Sequence, residues 1–446
     1  MRRNATVTLA LVAAGLIGSA CTAGGGAAST APSTLDTSAS HEPVTITMWS
    51  EWTDPRQTEQ FESIFDGFTA QYPWITVKDV PGQDDDKILS AISGGNPPDA
   101  VLSFGLDNVA KFCESGAWVD LTPYIEQDQL DLGQFPPAVF KYTKYAGSQC
   151  AFPFLTDAYG LYYNKDMLAA KGFTDPPKTM TELTEMAKAL TEFNADGSIK
   201  VAGLVPWVGY YETNPVTYGV PWNAQFYDET NTKSALATDP QWAKYLTWQK
   251  DLVDFYGADN LNQFVAGQGD EFSSAQDFET GRIAMNMDGE WRVAFIDDEA
   301  PDLNYGTAPF PVPDDQADKY GRGYLSGTII GIAATSQKQN AAWELTKYLT
   351  TDTAAVVSFA NAIKNVPSTF DALNSPQLET TPQFKTFLDI SANPNSNTTP
   401  ATSNGGAFQL TLQDVGYLNE AGKISDLPAA LAKADQQIDK DIEKVK

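Results

Sequence analysis

Strands and helices alternate through the first hundred residues, and this order limits the fold more than any other feature of the chain. An alternating run at 44–49 predicts a strand, and apolar residues spaced at i, i+3, i+4 and i+7 across 61–68 predict an amphipathic helix. A second strand is predicted at 75–80, a short helix at 86–93 and a third strand at 100–102. The order β-α-β-α-β predicts a parallel sheet with helices on its faces, which is an α/β fold.

The rest of the chain is richer in helix and is long enough for more than one domain. Thr179 and Glu182 form a capping box that opens a predicted helix, and further helices are predicted at 241–255 and at the C-terminus. Residues 328–334 form an apolar run that predicts a buried strand. With 446 residues, the chain is expected to form two or more domains.

The N-terminal segment has the pattern of an export signal. Two arginines precede an apolar run at 7–17, small residues follow, and Cys21 comes next. We interpret residues 1–20 as a lipoprotein signal peptide and Cys21 as the lipidated N-terminus of the mature protein; secretion after cleavage before Cys21 is the alternative. Residues 21–42 are rich in Gly, Ala, Ser and Thr, which predicts a flexible tether. The expected location is the cell envelope, with the protein lipid-anchored to the outer face of the cytoplasmic membrane.

Charge and histidine content exclude several classes of function. The formal net charge is −28, which argues against a nucleic-acid partner because phosphates require a basic surface. The chain has one histidine, His41, which lies in the predicted tether. The folded body is therefore expected to lack a Ser-His-Asp or Cys-His nucleophilic site and a His-based metal site.

Two cysteines remain in the body of the chain, Cys113 and Cys150. In an exported protein they can form a disulfide, and the alternative is two buried thiols. Their spacing does not decide between the two, because a disulfide requires Cα atoms within about 7 Å of each other.

Aromatic and acidic side chains are concentrated in the predicted loops. A sugar requires both kinds, since its C–H face packs on flat rings and its hydroxyls need partners; a buried unpaired polar group costs about 1–3 kcal/mol. The carboxyl ends of parallel strands are where α/β proteins bind ligands. The same acids also allow a glycoside hydrolase, which needs two carboxylates beside a sugar bond. The residues concerned are Trp49, Glu51, Trp52, Phe104, Asp107, Asp157, Trp207, Trp222, Asn223, Asp288, Glu290 and Trp291.

Several tracts resemble the extracellular solute-binding proteins of carbohydrate ABC importers, the family that contains maltose-binding protein. The resemblance spans nearly all of residues 43–446. Against the family's pattern, Asp157 falls on a polar ligand-contacting position and Trp291 on a tryptophan that stacks on sugar. The tracts are TMWSEW (47–52), PPDAV (97–101), ESGAWVDLTPYI (114–125), FPFLTDAYGLYYNKDML (152–168), FETGRIAMNMDGEW (278–291), GYLSGTIIGIA (323–333) and AAWELTKYL (341–349).

The resemblance implies an α/β fold of the two-lobed periplasmic-binding-protein kind (type II). Each lobe would be a sheet flanked by helices, with the ligand in the cleft between them and with hinge closure on binding. The implied segments are 43–153 and 309–360 for the N-terminal lobe, 154–308 and 361–446 for the C-terminal lobe, and 152–156, 305–310 and 358–366 for the crossings between lobes.

The resemblance also implies a binding protein without enzymatic activity or cofactor, which captures a mono- or oligosaccharide and delivers it to the permease subunits of an ABC importer. The expected protein is a monomer, held at the membrane by its lipid anchor. The alternatives are a glycoside hydrolase, a binding protein of the same fold for a non-sugar solute, and a surface adhesin. The predicted ligand-binding residues are Trp49, Glu51, Trp52, Asp84, Ser103, Phe104, Asp107, Asp157, Trp207, Trp222, Asn223, Asp288, Trp291, Tyr324 and Ser326.

Overall fold

The computed structural model describes residues 41–53, 55–228 and 233–444. The predicted signal peptide, Cys21 and the predicted tether as far as residue 40 lie outside the described residues. Within those ranges, no helix is both long and apolar enough to cross a membrane.

The secondary structure alternates between strands and helices along the described residues. The strands are β1 (Val44–Ser50), β2 (Ile75–Val80), β3 (Ala100–Ser103), β4 (Lys144–Tyr145), β5 (Ser148–Gln149), β6 (Ala151–Asn164), β7 (Glu192–Phe193), β8 (Ile199–Val201), β9 (Met285–Gly289), β10 (Tyr305–Ala308), β11 (Leu325–Ile332) and β12 (Val366–Pro367). The helices are α1 (Pro55–Gln71), α2 (Asp85–Ser93), α3 (Val109–Glu114), α4 (Thr122–Asp128), α5 (Pro137–Lys141), α6 (Lys165–Ala170), α7 (Met180–Leu190), α8 (Pro215–Gly219), α9 (Pro240–Tyr256), α10 (Ala258–Val265), α11 (Arg292–Glu299), α12 (Gln339–Thr351), α13 (Thr353–Ile363), α14 (Phe370–Leu373), α15 (Pro382–Ala392), α16 (Phe408–Glu420) and α17 (Leu427–Glu443).

The main sheet begins with the parallel arrangement predicted from the sequence. β1 pairs in parallel with β2 on one side and with β3 on the other. β11 and β6 continue the sheet in antiparallel orientation, which gives the order β2-β1-β3-β11-β6. All of β3 is buried, as expected for a strand covered on both faces. The predicted α/β class is confirmed.

β6 is shared by two parts of this sheet. Its residues 151–158 pair with β11, and Thr156 and Leu155 also pair with β12. Its residues 159–164 pair instead with β9 and β10. One strand thus runs from the first part of the sheet (β2, β1, β3 and β11) into the second part (β9 and β10), and the two parts meet near Asp157.

Local sequence patterns account for several elements. The predicted face of α1 is buried at Phe61, Ile64 and Phe68. The capping box of Thr179 and Glu182 is present at the start of α7, with both of its hydrogen bonds. These contacts confirm the helical periodicity that the sequence showed.

The strand predicted at 328–334 begins earlier and ends earlier than expected. β11 starts at Leu325 because Leu325 and Ser326 pair with Ala158 and Asp157 of β6, although polar and glycine residues interrupt the apolar pattern there. It ends at Ile332, where the ladder to β3 stops.

A disulfide joins Cys113 of α3 to Cys150, which directly precedes β6. The two Cα atoms are 5.8 Å apart. The bond ties α3 to the beginning of β6.

Candidate ligand-binding cleft

A cavity of about 520 Å³ lies beside the middle of β6, where the two parts of the sheet meet. We call Glu51, Trp52, Thr53 and Phe104 its first wall; Asp157, Thr328 and Asn365 its floor; and Phe272, Trp291 and Phe295 its second wall. These ten residues come from segments far apart in the sequence, so the cavity forms only in the folded chain.

Loops after β1 and β3 build the first wall. These strands are neighbours in the sheet, so the residues that follow their carboxyl ends lie close together. The backbone N–H of Phe104 donates to Oε2 of Glu51 at 2.7 Å. Burial, followed by the negative charge of Asp85, raises the pKa of Glu51 to about 7. The Glu51 carboxyl is therefore held in place by backbone and keeps its proton to a higher pH than an exposed glutamate does.

The two aromatic rings of the first wall differ in exposure. Trp52 is buried, with ring centroids 5.0 Å from Phe61 and 5.1 Å from Phe359. Phe104 is 44% exposed and lies 5.8 Å from Trp52. Trp52 thus supports the wall from the core, and Phe104 presents its ring to the cavity.

One asparagine amide joins two carboxyls at the floor. Nδ2 of Asn365 donates to Oδ1 of Asp157 at 2.8 Å and to Oε1 of Glu290 at 2.5 Å. Glu290 is fully buried and also accepts from the N–H of Ala158 at 2.8 Å. Burial raises the pKa of Asp157 to about 7, and burial together with Asp157 raises the pKa of Glu290 well above its ordinary value. Asn365 therefore fixes Asp157 relative to the end of β9.

The second wall is aromatic, and Trp291 is its most constrained member. A Cβ on Gly289 would lie 2.1 Å from the Trp291 ring, so the indole occupies space that only a glycine leaves free. Tyr159 packs edge-on against the same ring at 5.4 Å. Nε1 of Trp291 is shielded from solvent and has no hydrogen-bond partner among the described residues. Phe272 is 56% exposed and lies 5.6 Å from Phe295.

A group of charged side chains supports the second wall. Nε of the buried Arg292 donates to Asp288 at 3.0 Å, and its Nη1 donates to Glu279 at 3.3 Å. Burial alone would lower the pKa of Arg292, but Asp288 and the neighbouring carboxyls raise it above its ordinary value. Burial, followed by the negative charge of Glu271, raises the pKa of Glu212 well above its ordinary value, and burial, followed by the charge of Asp288, raises the pKa of Glu271 to about 7.

Five of the residues predicted from the sequence lie together in the cavity lining. They are Glu51, Trp52, Phe104, Asp157 and Trp291. Ser326 lies beside them, opposite Asp157 in the pairing of β11 with β6. Tyr324 is buried, and its ring is 5.0 Å from Tyr159, which contacts Trp291.

Several other predicted residues make structural contacts outside the lining. Asp288 is buried and accepts from Arg292 and Asn286. Ser103 is buried, and its hydroxyl accepts from the N–H of Gly105. Asp84 caps α2 and pairs with Lys87 on the surface. These three side chains are therefore occupied by contacts within the protein.

Four of the remaining predicted residues also lie away from the lining. Trp222 is buried at 6.0 Å from Trp248, and Trp207 and Trp49 are partly buried against the core. Asn223 is exposed, with a φ of 59°. Asp107 is part of a 3₁₀ turn (Leu106–Asn108), and its side chain lies outside the described part of the structure.

Sequence reasoning did not select several residues that the structure brings to the cleft. Glu290 was noted among the acids of the predicted loops and directly precedes Trp291, but it was not chosen as a ligand-binding residue. Phe272 and Glu271 lie in a polar loop before β9 that has no periodic pattern, and Asn365 follows α13 without a motif. Only tertiary structure places these three beside the cavity.

Two further cavities, of about 480 and 690 Å³, are lined largely by residues 394–403 and their neighbours. Neither lining contains a tryptophan, and the acids of the larger one, Asp315 and Asp318, are exposed. The cavity at β6 has Trp52, Trp291 and two half-buried carboxyls, which suits a ligand with an apolar face and several hydroxyls. Within the described ranges, no group of three or more His, Cys, Asp or Glu side chains has the geometry to hold a metal ion.

The chain is similar to known solute-binding proteins. It is 24% identical over 406 residues to the maltotriose-binding protein of Pyrococcus abyssi, covering 89% of this chain and 82% of that protein. It is 26% identical over 267 residues to the diacetylchitobiose binding protein DasA of Streptomyces coelicolor, covering 60% of this chain and 59% of that protein. These relatives are binding proteins.

Solved structures show the same fold. CpMnBP1 with mannotriose bound matches with a TM-score of 0.76 and 26% identity, covering 88% of this chain and 99% of that one. The sugar-binding protein MalE of Xanthomonas citri matches with a TM-score of 0.72 and 21% identity, covering 90% and 98%. The type II periplasmic-binding-protein fold expected from the sequence is confirmed.

A family model described as bacterial extracellular solute-binding protein matches residues 63–386, most of the chain. That span includes Phe104, Asp157, Phe272 and Trp291 of the cavity. The family implies a place of action outside the cytoplasm. The chain belongs to the bacterial extracellular solute-binding proteins.

Proposed function

We propose that this protein captures a sugar in the cavity at β6 and delivers it to the permease of an ABC importer. The main support for the proposal is that one cavity combines an aromatic second wall with a floor of hydrogen-bonding groups. Trp291 supplies a flat apolar face, and Asp157 and Asn365 supply polar atoms for hydroxyls. The sugars named for relatives, which are maltotriose, mannotriose and diacetylchitobiose, support this class of ligand.

The cavity position supports hinge closure as the binding mechanism. The first wall belongs to the part of the sheet built by β1 and β3, and Trp291 and Phe295 of the second wall follow β9. A ligand that contacts both walls favours the form in which they are close. We assign residues 43–153 and 309–360 to one lobe and residues 154–308 and 361–446 to the other.

The proposed location is the outer face of the cytoplasmic membrane, with a lipid on Cys21 and a monomeric folded body. Support comes from the order of basic, apolar and small residues before Cys21. Labelling of growing cells with a fatty acid that carries an alkyne tests the anchor. We expect label on the wild type and none on Cys21→Ser; label on both would remove the assignment.

Calorimetric titration of the purified protein with mono- and oligosaccharides tests the function. The panel contains maltotriose, mannobiose, mannotriose and diacetylchitobiose, and each mixture is analysed afterwards for cleavage. We expect saturable binding of at least one sugar without product. Release of cleaved sugar would support a hydrolase, and silence across the panel would contradict the proposal.

Trp291→Ala is the matched test of the site. Loss of the stacking face is expected to weaken binding about 100-fold, which corresponds to about 2.7 kcal/mol of binding free energy. Trp74→Ala is the control, because Trp74 stacks on His41 at 3.7 Å and takes no part in the lining. Unchanged affinity in Trp291→Ala would refute the role of the second wall.

A further inference from the structure

The two cavities beside residues 394–403 differ in charge from the rest of the chain. The whole chain has 57 acids against 29 lysines and arginines. In the two linings this ratio is reversed, and Lys141 and Asn397 belong to both. The cations are Lys141, Lys144, Lys319 and Arg322, and the acids are Asp315 and Asp318. The larger cavity, of about 690 Å³, therefore lies in a region of this acidic protein where cations outnumber acids.

Arg322 is the buried cation of the larger cavity, and only 2% of its surface is exposed. Its Nε and Nη2 donate to the carbonyl of Pro221 at 3.2 and 2.6 Å, and Nη2 also donates to Oε1 of Gln316 at 2.8 Å. Nη1 takes part in none of these hydrogen bonds. Since a guanidinium has five N–H donors, both N–H groups of Nη1 remain available to a ligand in the cavity that Arg322 lines.

No carboxylate among the described residues forms an ion pair with this guanidinium. Asp318 acts on Arg322 electrostatically, but its carboxylate lies 3.5 Å from Nζ of Lys319. Asp315 is paired with Lys244, which is outside the lining, at 3.0 Å. Burial lowers the pKa of Arg322 to about 10, so the guanidinium still carries its charge at neutral pH. Because a buried charge is costly unless an opposite charge compensates it, an anion bound beside Arg322 would be stabilised.

Further donors of the same lining come from two other segments. Nζ of Lys141, at the end of α5, donates to Oδ1 of Asn397 at 3.3 Å, and the ammonium group has two more protons. The backbone of Asn397 is fixed to the sheet, because its carbonyl accepts from the N–H of Leu325 in β11 at 2.9 Å. Donors from α5, from the loop before β11 and from the segment after α15 thus line one cavity. This arrangement suits a phosphate, whose oxygens accept hydrogen bonds from several sides.

We propose that the larger cavity is a second ligand site, distinct from the sugar cavity at β6, and that it binds a phosphate group. Nη1 of Arg322 and Nζ of Lys141 donate to the phosphate oxygens, and Arg322 also compensates the charge from a buried position. The phosphate group comes from inorganic phosphate or from a phosphate monoester. A volume of about 690 Å³ leaves room for the organic part of an ester. The site does not depend on which solute the sugar cavity captures.

Calorimetric titration of the purified protein at about pH 8, where a phosphate group is largely a dianion, tests the site. The probes are inorganic phosphate, glucose 6-phosphate and ribose 5-phosphate, with glucose, ribose and acetate as controls. We expect saturable binding of at least one phosphate with a Kd of about 1 mM or tighter. Tighter binding of an ester would identify the ester as the source of the phosphate group, and tighter binding of inorganic phosphate would identify the free ion. Absence of saturation by all three phosphates would overturn the proposal.

Two substitutions test whether the phosphate binds at this cavity. We expect phosphate affinity to fall at least about tenfold in Arg322→Gln and about threefold in Lys141→Gln, because each removes a charged donor. The control is Lys200→Gln, which removes the same charge where Lys200 pairs with Glu192 at 2.9 Å, outside both linings. If Arg322→Gln does not fold, Arg322→Lys replaces it, since lysine keeps the charge and loses the planar donors. Wild-type affinity in both cavity variants would overturn the assignment.

A comparison with Trp291→Ala separates this site from the sugar cavity. Arg322→Gln should weaken phosphate binding and change sugar affinity less than about twofold, whereas Trp291→Ala should do the reverse. A merely structural role of Arg322 would weaken both ligands alike and would overturn the proposal. Phosphate binding that is lost in Trp291→Ala and kept in Arg322→Gln would also overturn it, because the phosphate would then occupy the sugar cavity. Failure of the phosphate site would leave the proposed sugar capture unaffected.

Discussion

The two walls of the cleft are built in different ways. The first wall consists of three consecutive residues after β1 together with Phe104 after β3, and β1 and β3 are adjacent in the sheet. The second wall combines Phe272, which lies before β9, with Trp291 and Phe295, which follow β9, and the rings of Phe272 and Phe295 are 5.6 Å apart. Sheet topology therefore assembles the first wall, and side-chain contacts assemble the second.

The walls also differ in what holds their charged groups. Glu51 in the first wall accepts from the backbone of Phe104, and the disulfide of Cys113 and Cys150 ties α3, which follows that loop, to β6. The second wall depends on Arg292 and the carboxyls around it. The first wall should therefore be sensitive to loss of a covalent bond and the second to loss of a charge.

Removing the charge behind the second wall is expected to have the largest effect. Arg292→Met leaves Asp288 and Glu279 buried without their cation, which should lower the free energy of unfolding by about 3–5 kcal/mol. Denaturant unfolding followed by circular dichroism measures it. Lys250→Met is the control, because Lys250 pairs with the exposed Asp254 and should cost less than about 1 kcal/mol. Equal losses in the two variants would contradict the comparison.

Removing the covalent tie at the first wall should cost somewhat less. The disulfide closes a sequence separation of 37 residues, and its loss in Cys113→Ser/Cys150→Ser should lower stability by about 2–4 kcal/mol through the entropy of the unfolded chain. A thiol reductant provides the internal control. The reductant should lower the denaturation midpoint of the wild type and leave that of the double variant unchanged. An unchanged midpoint in the wild type would show that the disulfide does not stabilise the fold.

The floor joins the walls, and its amide can be removed without removing a charge. Asn365→Ala takes a donor from both Asp157 and Glu290, so sugar affinity should fall about tenfold, the equivalent of one lost hydrogen bond to a charged group. Asn361→Ala on α13 is the matched control, because its side chain binds the carbonyl of Gln377. Similar affinities in both variants would show that the floor does not position Asp157.

Titration of the two walls is expected to change stability gradually with pH. Glu51 and Glu271 each have a pKa of about 7 in the folded protein, against 4.5 ordinarily, so the folded state binds more protons between these values. The contribution of these two carboxyls to the free energy of unfolding should therefore fall as pH rises from about 4.5 to about 7 and change little above that. Thermal unfolding across this range measures the slope, which Glu51→Gln and Glu271→Gln should each reduce. If the slope is unchanged in one variant, the carboxyl of that wall does not contribute to the pH dependence of stability.

The same contrast explains what could be predicted from the sequence. The helical face of α1, the parallel order of β1, β2 and β3, and the capping box of α7 are set by neighbours in the chain, so their patterns were readable. Trp52 and Phe104 were found because they follow strands directly. Trp291 and Asp157 were found by resemblance to family tracts.

The remaining site residues depend on long-range contacts. Phe272 and Asn365 reach the cleft through packing between segments tens to hundreds of residues apart, and no local period marks them. Trp222, chosen for its aromatic neighbours, packs near Trp248 in the core instead, because clustered aromatics fill interiors as readily as they line sites. Burial cannot be read from residue type alone.

The continuity of β6 has a mechanical consequence for the proposed hinge closure. β6 has 14 residues, spans roughly 46 Å and pairs with strands in both parts of the sheet, with one register shift opposite Thr328 and Ile329. Rotation of one proposed lobe against the other would be stored partly as extra twist along this strand. Asp157 lies at the centre of β6, so a ligand bound there would contact the strand that is twisted. Substitutions that make β6 more flexible would then change both the energy stored in its twist and the rate of ligand release.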